Sequence, residues 1–342
     1  MNVAMITLVQ LIDGNDSRPA VQRTFRFRLL WYSGLESSKR YSGANFMNDD
    51  IRSSRRADLI ARIAVAMPDL TVKKVRRITN GQNNEVLVVN NDWIFRFPRT
   101  WMGAQALAHE STVLRHLHGR LPVDTPHPEV LNFPPGREAE WFMAYPLIPG
   151  RPLTRSRISR LSAIHLHTLA DHLAHFLDAL HSQAIPQECR RMLNVIEPSQ
   201  SCSDLLARIQ HHLYPLMLPE ARDRVEFHFS QFLHRKNGWR LPQVLIHGDF
   251  GASNILTKEG PTVNAIIDWG SAAIGDPAID YAAASTLHPR MLEFMQASHP
   301  KIGPLLDRVA FYRGTFALQE ALFGAEHGDA AALKSGLCEY VR

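Results

Sequence analysis

Three oxygen-bearing side chains between residues 249 and 268 are spaced as phosphate chemistry would need them. In LIHGDFGASNIL (245–256), Asp249 follows the apolar run QVLIH and lies between Gly248 and Gly251; Asn254 comes five residues later, ahead of Ile255 and Leu256. Glycines allow a sharp bend and close approach by a ligand. A carboxylate held in such a bend can accept a substrate hydroxyl proton and orient the oxygen for attack. An amide oxygen such as that of Asn254 suits a hard cation, Mg²⁺ above all, which takes one or two protein oxygens and completes its shell with phosphates and water. In AIIDWGSAAIGDP (265–277), Asp268 ends a second apolar run and supplies the second such oxygen. Each piece alone has an ordinary explanation, a turn or a helix cap. Together, H-x-D-x-x-x-x-N followed by D-x-G is the phosphotransferase pattern of base, metal amide and metal carboxylate. His247 reads as structural, bonding backbone near Asp268 so that the two turns stay together.

Something must deliver these turns to one place and bring phosphate to them. Upstream of residue 149 the pattern predicts a small antiparallel sheet. VKKVRRIT, NEVLVVN and DWIFRFP are short, β-rich and separated by Asn-Gly or Asn-Asp turn signals. In DWIFRFP, Trp93, Phe95 and Phe97 face one way, Ile94 and Arg96 the other. A helix over 102–120 carries an apolar stripe of Ala106, Val113, Leu114 and Leu117, and Glu110 falls on that stripe. A carboxylate on a buried face is costly unless paired. Arg96 is the predicted partner, with Arg99 in reserve, and the pair would set a cation against the α/β-phosphates. The strand-like EWFMAYPLI (140–148) ends at Pro149-Gly150 and predicts a hinge, with backbone from Met143 to Tyr145 meeting the edge of the nucleotide base. The loop TNGQNNEV carries one glycine and reads as a hairpin turn able to cover phosphates.

Beyond 150 the pattern is helical: an apolar stripe of Leu169, Leu173, Phe176, Leu177 and Leu180 (166–182), then helices near 202–213, 220–235, 277–287, 304–325 and 330–340. Asp276-Pro277 starts one of them, and Asp276 and Asp280 read as braces. His165, His167, His172, His175 and His181 crowd one region without an H-E-x-x-H pattern and read as surface or satisfied polar groups. The fold class is α+β with two lobes, 47–148 binding nucleotide and 149–342 carrying the catalytic turns. Residues 47–68 read as a helix with Ile60, Ile63 and Met67 on one face. Residues 1–46 have two readings, an extension of unknown role or an extra edge strand at MITLVQLI.

Bulk properties narrow the class. The 342 residues carry a net charge of +5 with no block of like charges, which gives no reason to invoke nucleic acid. Three separated cysteines, Cys189, Cys202 and Cys338, suggest neither a disulfide framework nor a zinc knuckle. No apolar run reaches membrane-spanning length, and the start lacks a secretory pattern. A cytoplasmic monomer is the expectation.

The chain resembles the aminoglycoside phosphotransferase family of small-molecule kinases. The resemblance rests on NEVLVVNNDWIFRFPR, Glu110 in HESTVLRHL, YPLIPGRPL, FLDALHS, LIHGDFGASNIL, IIDWGSAAIGDPAIDYAA and FYRGTFALQEALFG, spread over roughly 72–325. It implies a protein-kinase-like two-lobe fold and Mg²⁺-dependent transfer of the γ-phosphate of ATP or GTP to a hydroxyl. It further implies Asp249 as the catalytic Asp and Asn254 and Asp268 as metal ligands. The wording is most similar to the subgroup that modifies the 2″-hydroxyl of aminoglycosides. One departure is Arg96, where the family usually has Lys; Arg still binds phosphate, in a different geometry. A cationic acceptor would want acidic walls, for which Glu293 and Glu320 are the candidates, whereas a basic chain suits a neutral hydroxylated metabolite. Two other classes compete: a non-catalytic nucleotide-binding relative, and a phosphohydrolase using His247, Asp249 and Asp268. No Ala-Pro-Glu segment follows DWG, which speaks against a protein kinase.

Overall fold

The computed structural model describes residues 49–78, 84–234, 241–258 and 260–341. The expectations for residues 1–46 and for the phosphate-covering loop at 79–83 lie outside them.

The first lobe is built on a five-stranded sheet of order β1-β2-β3-β5-β4. Helix α1 (Asp49–Ala66) precedes β1 (Val75–Ile78), β2 (Asn84–Val89), β3 (Trp93–Pro98), α2 (Trp101–Leu117), β4 (Val130–Asn132) and β5 (Phe142–Pro146). Asn90 and Asn91 both take positive φ (56° and 63°) in the three-residue connection 90–92, where the Asp92 amide donates to the Val89 carbonyl (3.0 Å), a turn conformation that Asn tolerates well. Strand alternation splits the lobe into two apolar layers. Phe95 and Phe97 join Leu87, Val89, Phe142 and Ala144 under Leu59 and Ile63 of α1. Ile94, Val86, Val88, Met143 and Tyr145 face the main core with Leu107, Val113, Leu114 and Leu117 of α2. The face of α1 is therefore led by Leu59 and Ile63, one turn apart, with Ile60 only half-buried. β4 arises inside the Pro-rich connection that the sequence pattern leaves without an element, because its backbone completes the edge of β5.

The second lobe is mainly helical. In order come β6 (Arg151–Pro152), α3 (Arg155–Ile158), α4 (Ala163–His181), α5 (Gln187–Met192), β7 (Asn194–Val195), α6 (Pro198–His212) and α7 (Pro219–Leu233). Then follow β8 (Val244–Ile246), β9 (Ile255–Thr257), β10 (Val263–Ile266), β11 (Ala273–Gly275), α8 (Ala278–Ser285), α9 (Met291–Ser298), α10 (Leu306–His327) and α11 (Ala330–Gly336). Short strands frame the two motif turns: β10-β9-β6 form one small sheet and β7-β11-β8 another. The stripe of α4, from Leu169 to Leu180, is fully buried. Asp276 begins α8 by accepting the Ala278 amide (3.0 Å), and it also takes Arg308 (2.7 Å) and Tyr312 (3.1 Å) of α10. This buried ion pair pins α8 to α10. Among the described residues no helix is long and apolar enough to cross a membrane.

Candidate active site

Asp249 and Asn254 touch. The Asn254 amide nitrogen donates to the Asp249 carbonyl (2.9 Å) and to its carboxylate (3.1 Å). With the nitrogen so engaged, the amide's other end, its oxygen, takes only a long contact from the Ser253 hydroxyl (3.4 Å) and can meet a cation. The backbone joins this turn to the next: Ile267 N–H donates to the Asn254 carbonyl at 2.9 Å, so Asp268 leaves its strand beside Asn254. Asp268 takes a left-handed conformation, φ 66°. Asp tolerates this better than most residues, and the bend lifts its carboxylate out of the β10 pleat.

Arg96 and Glu110 form the predicted pair, 2.5 Å apart, and both are buried, at 2% and 1% exposure. Arg96 reaches further, with Nη2 3.9 Å from Asp268. Glu110 in turn accepts the Trp269 amide at 3.3 Å. One buried chain of contacts thus runs from β3 through α2 to the Asp268 turn and ties the first lobe to the motif. Burial alone would lower the Arg96 pKa, but Glu110, with Tyr145 and Asp268 behind it, overrides that and holds it above the usual range. Its Nε and Nη2 groups are buried and find no hydrogen-bond acceptor among the described residues. Such donors are costly when idle, and phosphate oxygens would satisfy them. Arg99 stands apart, past the end of β3, and does not join the pair.

Behind the turn lies a brace that the sequence only half shows. Asp280 of α8 accepts the amides of His247 (2.9 Å) and Gly248 (3.0 Å), and His181, at the end of α4, meets the same carboxylate at 3.0 Å. His247 Nε2 bonds the Ile267 carbonyl (3.1 Å), the tie between turns expected of it. Burial lowers the His247 pKa, partly offset by Asp280 and the Ile267 carbonyl; Nδ1 accepts the Asp249 amide (3.2 Å), so Nε2 is the nitrogen that donates to Ile267. Gly248, at φ 77°, passes so close to Ser271 that a Cβ would overlap the Ser271 carbonyl. His181 is thus one of the satisfied polar histidines: its position four residues after Leu177, on the buried stripe, carries it to Asp280.

Asp280→Ala leaves two buried amides without an acceptor, at about 1–3 kcal/mol each. The expected result is a lower denaturation midpoint together with a fall in kcat, because Asp249 rides on the loosened turn. Asp280→Asn, which keeps one acceptor oxygen, should recover part of both. Unchanged kcat in a correctly folded Asp280→Ala protein would exclude the positioning role.

Two expectations need amending. Met143 and Ala144 have both edges paired, with β3 on one side and β4 on the other. Their backbone is therefore committed to the sheet, whereas Tyr145 pairs with β3 alone, so the edge beyond β4 begins at Tyr145, within the expected range. Met143 and Tyr145 instead turn side chains toward the inner core. The Tyr145 hydroxyl, beside Arg96, has its pKa raised to about 12 by burial, with Arg96 opposing. Glu293 is exposed and tied to Arg290 at 2.7 Å, so its charge is largely cancelled where it stands. Glu320 lies half-buried on α10.

A sheet-bearing lobe, a buried cation–carboxylate pair and a helical lobe presenting two carboxylates and an amide define a phosphotransferase of protein-kinase-like fold. The chain belongs to the phosphotransferase enzyme family (APH), whose model matches residues 74–311. Viomycin phosphotransferase of Streptomyces vinaceus is 28% identical over 289 residues, covering 83% of this chain and 97% of its own length. The GDP and kanamycin complex of APH(2″)-IIIa superposes with a TM-score of 0.75 at 23% identity, over 82% of this chain and 96% of that one. A macrolide 2′-phosphotransferase from Brachybacterium faecium gives a TM-score of 0.63 at 22% identity, over 82% and 95%. These two structures show the shared fold.

Proposed function

We propose that this enzyme transfers the γ-phosphate of ATP or GTP to a hydroxyl of an aminoglycoside antibiotic, in the manner of the 2″-phosphotransferases, as a cytoplasmic resistance kinase. The observation that carries the reading is the continuous contact from Asp249 through Asn254 and Ile267 to the turn of Asp268, Arg96 and Glu110. Supporting an antibiotic acceptor are the similarity to viomycin phosphotransferase, over 83% of this chain, and the partial one to hygromycin-B 4-O-kinase of Escherichia coli, 29% over 110 residues.

In this reading Asp249 accepts a hydrogen bond from the acceptor hydroxyl and aims its oxygen at the γ-phosphorus. The O–P bond forms as the bond to the β-phosphate oxygen breaks and the nucleoside diphosphate departs. The hydroxyl proton passes to Asp249 late, because a loose transition state needs little base strength. Arg96 grips the α/β-phosphates with its idle Nε and Nη2 donors, while Glu110 fixes its plane. Asn254 and Asp268 fit Mg²⁺, since both present hard oxygens from adjoining backbone and the Asn254 nitrogen is already engaged. That ion, when bound, neutralises charge on the phosphate oxygens. The nucleotide base meets the backbone edge that begins at Tyr145, with Met143 packed in the core behind it. Glu320 is the retained acidic candidate for the acceptor cleft.

A neutral hydroxylated metabolite is the second reading, favoured by the Glu293–Arg290 pairing and the basic chain, and a macrolide is a further candidate acceptor. One experiment separates them. Kanamycin, gentamicin, hygromycin B, viomycin, a macrolide and hydroxylated metabolites are incubated with Mg²⁺ and ATP or GTP, and each is read for the mass of one added phosphate. Phosphorylation of an aminoglycoside is the expected result. If only neutral acceptors gain mass, the second reading stands. No gain in any acceptor by folded, nucleotide-binding protein overturns both.

A further inference from the structure

Helix α10 gathers the helical block of the second lobe. Arg208 of α6 reaches Glu326 at 2.7 Å, and His228 of α7 meets the Phe311 carbonyl at 3.0 Å. Toward the core α10 carries Arg308, 7% exposed, and Tyr312, fully buried. Both address one carboxylate. Asp276 Oδ2 accepts from Arg308 Nε (2.7 Å) and the Tyr312 hydroxyl (3.1 Å), while Oδ1 accepts from Arg308 Nη2 (3.2 Å) and the Ala278 amide (3.0 Å). A two-armed guanidinium–carboxylate pair fixes orientation as well as distance. Burial, reinforced by the Asp276 charge, pushes the Tyr312 pKa up, so its hydroxyl stays a donor.

Two routes lead from Asp276 to the catalytic turn. Asp276 directly follows β11, whose Ala273, Ile274 and Gly275 pair with Ile246, Leu245 and Val244 of β8, the strand that runs into His247. It also opens α8, one helical turn before Asp280, whose carboxylate holds the His247 and Gly248 amides. A shift of Asp276 therefore moves both the strand that delivers Asp249 and the brace behind it.

We propose that Arg308 is a positioning residue for the phosphotransfer: through Asp276 it holds the helical block of α6, α7 and α10 in register with the Asp249 turn. This role rests on the reading of Asp249 as the catalytic carboxylate. Arg308 acts on the angle and distance at which Asp249 meets the acceptor hydroxyl, where a misplacement of about 1 Å costs about 10²-fold in rate.

Arg308→Met, Arg308→Lys and Arg308→Met/Asp276→Asn, each in the full chain, are compared with the original protein. Hydrogen exchange is read at 245–250 and, as a control, at 84–89 of β2, together with a GDP titration, a denaturation curve and kcat per bound nucleotide on an acceptor that gains phosphate. For Arg308→Met the expected result is exchange at 245–250 faster by about tenfold or more, with exchange at 84–89 and GDP affinity unchanged, and kcat lowered about 10–100-fold. Arg308→Lys keeps the charge and loses the fork; it shows the same pattern at smaller size and carries the test should Arg308→Met not fold. The double variant removes the uncompensated buried charge, so its denaturation midpoint recovers while kcat does not. Exchange at 245–250 as slow as in the original protein, unchanged kcat, or kcat that returns with stability in the double variant overturns the proposal. A fall in GDP affinity as large as that in kcat overturns it as well, because it marks general loosening. The exchange readout needs no acceptor, so a failed acceptor panel and a failed positioning role give different results.

Discussion

Replacing Asp249 by Asn is expected to lower kcat by about 10²–10⁴-fold with little change in stability or nucleotide affinity. The separation of effects follows from the contacts. Asn254 binds residue 249 through the backbone carbonyl as well as the carboxylate, and an Asn side chain at 249 still offers an acceptor oxygen. The turn also keeps its outer brace, the Asp280 carboxylate on the amides of His247 and Gly248. What disappears is the charge that orients the acceptor hydroxyl and takes its proton. Steady-state kinetics, a nucleotide titration and a denaturation curve together check this. More than about a tenth of the original kcat in the variant would exclude Asp249 as the catalytic carboxylate, and the phosphotransfer geometry would have to be rebuilt around another group.

The second large effect concerns the buried pair. In Arg96→Met, Glu110 keeps, among the described residues, only the Trp269 amide at 3.3 Å and is left as an uncompensated charge at 1% exposure. Removing one partner of a buried pair costs about 3–5 kcal/mol, whereas replacing both by apolar groups is often neutral. Denaturation should therefore show a marked loss for Arg96→Met and recovery in Arg96→Met/Glu110→Leu. Nucleotide affinity should fall in both, because neither retains the phosphate-facing guanidinium. That split is the informative outcome: stability returns and binding does not. If the double variant binds nucleotide as the original protein does, Arg96 is a structural residue and no part of the phosphate grip.

The two predictions probe opposite ends of one contact chain, and they bear differently on what the sequence could reveal. Glu110 was identifiable because a carboxylate on an apolar helical stripe demands a cation, and β3 supplies one with the right alternation. The hairpins and long helices followed from period and turn residues. α9 and β4 did not. α9 is short and lacks a side-chain cap, and β4 exists as an edge for β5. From sequence His181 reads as a satisfied polar group, but its partner, Asp280, is not legible there.

By itself, then, the order of residues determined the groups present and their local spacing: two carboxylates and an amide in two turns, a cation on a strand, an acid on a helix. These are short-range matters, governed by strand and helix periods and by the bends that glycine, asparagine and aspartate permit. Choices that depend on contacts across tens of residues were decided only in the folded chain. Packing selected Arg96 over Arg99 for Glu110, set His181 and Asp280 together across 99 positions, closed both edges of Met143 and Ala144, and gave Glu293 to Arg290. The physical reason is that a side chain's partner is fixed by which faces of distant elements are pressed together, and no local period records that.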